Sequence, residues 1–93
     1  MNKYEIHPND LPRPGWKQRI RVIALERLVG GWPRADVEAY CQTVLLNQVQ
    51  GTLWLRKILP PNETREQEVY ADNKDWVNSW IKDAVDTAEE HAR

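Results

Sequence analysis

Trp76, Val77, Trp80, Ile81, Ala84, Val85 and Ala88 recur at three- and four-residue spacing in the last third of the chain. That spacing gathers side chains on one face of an α-helix. At about 100° per residue these positions occupy half of the helix circumference, and Asp75, Asn78, Ser79, Lys82, Asp83, Asp86 and Glu89 fill the other half. A face of that size has to be covered, so the remaining residues must supply a surface that packs on it.

At 93 residues the chain suits a single core, since two cores of this total size would each bury too little apolar surface to offset chain entropy. Five Trp and three Tyr stand beside no Phe, so every aromatic carries a polar N–H or O–H as well as a large apolar body. Residues of that kind suit half-buried positions and interfaces. No apolar run is long enough for a transmembrane helix, and Met-Asn-Lys-Tyr-Glu is not a secretory start, so a cytoplasmic protein is expected.

The formal charge of −1 hides a division along the chain. Residues 1–57 hold nine Lys/Arg against five Asp/Glu, and residues 58–93 hold four against nine. The basic half either meets an acidic partner or pairs with the chain's own acidic half, and internal pairing is the favoured expectation.

Pro8, Pro12, Pro14 and Gly15 make residues 1–15 an extended Pro-rich arm, in which Tyr4 and Ile6 alternate with polar residues as in a short edge strand. Residues 16–93 read as one compact α+β domain. Trp16 to Val29 is predicted to be a helix, with a strand over Arg19 to Leu25 as the competing reading; the helix is stopped by Gly30-Gly31 and apolar on two faces, Trp16, Ile20, Ile23 and Ala24 on one and Val22, Leu25, Leu28 and Val29 roughly opposite. A second helix is predicted from Ala35 to about Gln50, ended by Gly51, with Leu46 projecting away from its apolar stripe. Thr52 to Leu59 and Glu68 to Ala71 read as the strands of a β-hairpin around a polar loop, and Asp72 or Asn73 as the cap of the final helix. The expected fold is therefore α+β, about three helices with a hairpin and a third short N-terminal edge strand.

Chemistry is sparse. Ser79, the only serine, has Asp75 and Asp83 rather than a histidine at helical spacing, and Cys41 lies on an apolar stripe with no cation nearby to favour its thiolate. His7 and His91 have no second ligand at metal-binding spacing. Gly30-Gly31 is followed by Trp-Pro and not by a phosphate-cradling loop. No catalytic residue, cofactor or metal is expected, and the chain reads as a non-enzyme.

Basic residues offer more. Arg19, Arg21, Arg27, Arg34, Arg56 and Lys57 are interleaved with Trp16, Trp32 and Trp54, a combination suited to phosphates and bases or to a protein interface. The order Val37 to Cys41, Thr52-Leu53, Ile58-Leu59-Pro60-Pro61 and Glu68-Val69-Tyr70 resembles bacteriophage excisionases. In that family a short helix-turn-helix is followed by an Ile-x-Pro-Pro turn and a β-wing. The resemblance implies a winged-helix-like DNA-binding accessory protein, with those basic residues as its nucleic-acid contacts; of the family's Arg-rich recognition helix, only Arg56 and Lys57 remain.

The preferred expectation is a non-enzymatic module that docks on a protein partner, such as a mobile-element-type inhibitor or adaptor of a host protein complex. Trp16, Trp32, Leu46 and Trp54 are its candidate contact residues. Nucleic-acid binding and a homo-oligomer are the other options, and no membrane partner is expected.

Overall fold

A computed structural model describes residues 3–63 and 65–92. They form a short 3-10 helix, Pro8–Asp10, and three α-helices: α1 Trp16–Val29, α2 Arg34–Leu55 and α3 Glu66–Ala92. The α+β expectation is thus overturned. Among the described residues there is no strand, and the domain is an all-helical bundle in which α3 packs against both other helices.

Thr52 to Leu55 of the first expected hairpin strand and the whole of the second are helical for the same reason. The buried stripe of α2 does not stop at Gly51: Leu45, Leu46, Val49 and Leu53 continue at helical spacing, and Thr52 Oγ1 donates back to the Gln48 carbonyl at 3.0 Å. Glu68 to Ala71 is likewise the start of α3, where buried Val69 extends the Val77–Ile81–Ala84 face toward the N-terminus. The β-preference of Val, Thr, Trp and Tyr gives way wherever helical packing buries more surface. The β-wing implied by the excisionase resemblance is consequently absent among the described residues. Ile58 to Pro61 is a turn region after α2, and Glu68-Val69-Tyr70 lies within α3.

The α3 face covers two adjoining clusters. Ile20 and Ala24 of α1, Val37, Cys41 and Leu45 of α2, and the Val77–Ala88 stretch form one. The other gathers Leu46, Val49, Leu53 and Leu59 with Val69 and three residues of the N-terminal segment, Tyr4, Ile6 and Leu11. Tyr70, Trp76 and Trp80 pack against both clusters and join them.

The N-terminal segment is not an edge strand, although its alternation is meaningful. Tyr4 and Ile6 point inward, and their backbone is matched by side chains of α3: the Tyr4 N–H donates to Asp72 Oδ2 at 3.0 Å and the Ile6 N–H to Asn73 Oδ1 at 2.9 Å. Asp72 and Asn73 therefore do not cap α3, which begins two turns earlier at Glu66.

Candidate functional site

The two interhelical corners share one backbone device. At the end of α1 the Trp32 N–H reaches the Arg27 carbonyl and the Gly31 N–H reaches the Leu28 carbonyl, with Gly31 at φ 91°. At the end of α2 the Ile58 N–H reaches the Leu53 carbonyl and the Lys57 N–H the Trp54 carbonyl, with Lys57 at φ 60°. Each is a Schellman stop, in which one left-handed residue turns the chain and the next folds back over the last helical turn. Trp32 and Ile58 occupy equivalent places in the two corners.

Their surroundings differ. Trp32 folds back onto Arg27, whose guanidinium lies 5.0 Å from its ring centroid and 4.6 Å from that of Tyr40. Trp32 and Tyr40 meet edge to face at 5.7 Å, and Arg27 donates to the Tyr40 hydroxyl at 3.2 Å. These contacts hold Trp32 against the corner, although it stays 40% exposed and Arg27 Nε is enclosed with no hydrogen-bond partner among the described residues.

Among the described residues the α2 corner has no aromatic or cation–π pairing of that kind. Trp54 is 54% exposed and Leu55 71%, and Ile58 is exposed beside them. These three large apolar side chains cluster at the last turn of α2 and its fold-back. Arg56, in a long ion pair with Asp10 at 3.4 Å, and exposed Lys57 border them. Among the described residues neither cation makes a shorter contact with a carboxylate.

The four expected contact residues do not form one surface. Trp32 and Trp54 stand at opposite ends of α2, whose 22 residues span about 33 Å. Leu46 is only 8% exposed and belongs to the core, which corrects its assignment as a contact residue. Trp16 is half-buried against the second cluster, its indole N–H enclosed without a partner among the described residues and its ring covered by the Arg19 guanidinium at 5.3 Å. Only Trp54 of the four belongs to the exposed corner. In a strand over Thr52 to Leu59 alternation would put Leu55 and Ile58 on opposite faces, whereas helical spacing carried through Gly51 groups them.

The expected nucleic-acid contacts are also dispersed. Arg21 Nε and Nη2 hold Asp83 Oδ2 at 2.9 and 2.8 Å, tying α1 to α3. Arg34, at the start of α2, pairs with Asp86 at 2.8 Å and with Glu89, while Lys82 reaches the same Asp86 at 2.6 Å. These bonds, Lys82 foremost, hold the Asp86 carboxyl below its ordinary value, and Asp86 in turn raises the Arg34 guanidinium. The basic first half and acidic second half pair internally at these points. Arg19, Arg27 and Lys57 are the members of the set without an ion pair among the described residues, and of these Arg19 and Arg27 lie against aromatic rings.

Cys41 is fully buried, and burial pushes its thiol up to about 11. Among the described residues no three His, Cys, Asp or Glu side chains converge as metal ligands, and no helix is long and apolar enough to cross a membrane. No protein-family profile, curated protein or solved structure matches the chain.

Proposed function

We propose that this chain is a non-enzymatic docking module, an inhibitor or adaptor acting in the cytoplasm, that seats the end of α2 on another protein. The observation carrying this reading is the group of Trp54, Leu55 and Ile58, all exposed at the hydrogen-bonded turn that ends α2, with Arg56 and Lys57 at its border. Trp and Arg dominate protein interfaces because they bury large area and pair directionally. A hydrophobic slot rimmed by carboxylates is the complementary surface.

The test is capture from host extract by the immobilised chain, with Trp54→Ala/Leu55→Ser and Val22→Ser/Val29→Ser as parallel baits. A partner retained through moderate salt by the parent and by the α1 variant, but lost with the α2 variant, supports the reading. Desolvated apolar contacts resist salt, whereas phosphate binding collapses steeply between about 50 and 200 mM. Retention on duplex DNA with that steep salt dependence, unaffected by the α2 substitutions, would instead favour a nucleic-acid partner.

A further inference from the structure

The α1 helix is apolar on two opposite sides, and the bundle covers one fully and the other only in part, through Leu25 and Leu28. Ile20 and Ala24 are fully buried, whereas Val22 is exposed, Val29 is 70% exposed and Leu25 is half-buried at the groove beside α3. Val22, Leu25 and Val29 follow the three-then-four spacing of a helix-pairing seam and project opposite the Ile20–Ala24 side. Exposure of Val22 and Val29, with the outer edge of Leu25 between them, is the kind that a partner helix removes.

The residues bordering this seam identify the partner. On one flank stand Arg19 and Glu26, both exposed, seven positions apart, and neither in an ion pair among the described residues. On the other flank Arg21 is already bonded to Asp83. Two α1 helices related by a two-fold axis and running in opposite directions bring Arg19 of one copy against Glu26 of the other, and the reverse contact follows by symmetry. Parallel pairing would need Arg21 to leave Asp83 to meet Glu26. A surface whose unpaired charges complete one another under a two-fold rotation fits a second copy of itself.

We infer that this protein self-associates through α1, as an antiparallel pair with Val22, Leu25 and Val29 at the seam and reciprocal Arg19–Glu26 contacts at its edge. The seam lies apart from the Trp54 corner, so this inference stands independently of the docking function. A 14-residue helix, about 21 Å long, gives an interface at the small end of the specific range, so the pair is concentration-dependent.

Sedimentation equilibrium of the full chain over about 1–500 μM tests this, the range in which a weak dimer dissociates. The weight-average mass is expected to rise from 11.0 kDa toward twice that value. Arg19→Glu and Glu26→Arg each place like charges at both contacts, so each variant alone is expected to remain monomeric. An equimolar mixture of the two is expected to form a heterodimer, and the double variant to regain self-association. These charge swaps are at exposed positions, and circular dichroism of each variant confirms that the helices persist. A parent chain that stays at the monomer mass throughout, or a dimer that survives both single swaps, would overturn the inference; so would failure of the mixture and of the double variant to associate.

Discussion

Asn73 Oδ1 accepts the backbone N–H of Ile6 at 2.9 Å. The same oxygen accepts the Trp76 indole N–H at 3.1 Å, and Asn73 Nδ2 donates to the Tyr4 carbonyl at 2.8 Å and to the Val69 carbonyl at 2.9 Å. One buried amide thus gives an extended segment the donor and acceptor that a neighbouring strand would have given it. A carboxylate could not do both, because it has no N–H.

Asn73→Leu should therefore cost about 2–4 kcal/mol, since it strands a buried N–H and carbonyl at once. Urea unfolding measures the loss. Hydrogen exchange at the Ile6 amide should accelerate more than exchange in α2, as the segment releases before the bundle opens.

The Asn73 contact also shows what the chain disclosed and what it concealed. The apolar periodicity from Trp76 to Ala88 foretold the α3 face, and Gly30-Gly31 foretold the end of α1, because both are local signals. Asn73 appeared to be a helix cap because a polar side chain early in a helix usually serves the helix itself; its partners Tyr4 and Ile6 are 69 and 67 residues away. Gly51 looked like a stop although the stop is at Lys57, an αL position that carries no glycine. Leu55 and Ile58 were assigned to opposite strand faces for the same reason, so the exposed corner was only partly legible, through Trp54.

Three backbone substitutions follow. Gly51 lies inside α2 at ordinary negative φ with nothing within 4 Å of an added Cβ, so Gly51→Ala should stabilise the fold by about 0.5–1 kcal/mol. Lys57→Gly should stabilise by a similar amount, because its φ of 60° is costly for a side-chain-bearing residue. Gly31→Ala, at φ 91°, should destabilise by about 1 kcal/mol or more. Melting temperatures of the three variants should move up, up and down.

The Cys41 thiol is expected to resist a disulfide reagent at neutral pH and to react only on unfolding. Its raised value also fixes the sign of an alkaline effect. From its ordinary value of 9.0 up to about 11 the unfolded chain releases the thiol proton while the native chain retains it, so this group's contribution to stability declines with rising pH. Cys41→Ala should show a shallower fall over that interval in denaturation midpoints.

Asp86 has the opposite sign. Its carboxyl is held below the ordinary 3.8, so its contribution is present above that value and is lost as pH falls through the lower folded value. Carboxyl carbon NMR titration should place its midpoint below 3.8. Lys82→Met should raise that midpoint more than Arg34→Met, because the Lys82 bond is the larger cause.

The docking role rests on the α2 corner. Hydroxyl-radical footprinting of the free chain and of the chain bound to its captured partner tests that corner directly. The account predicts strong protection of Trp54, Leu55 and Ile58 on binding, and a loss of affinity of about 30-fold or more for Trp54→Ala with melting temperature nearly unchanged. Trp54 and Leu55 oxidised as fast in the complex as in the free chain would contradict it.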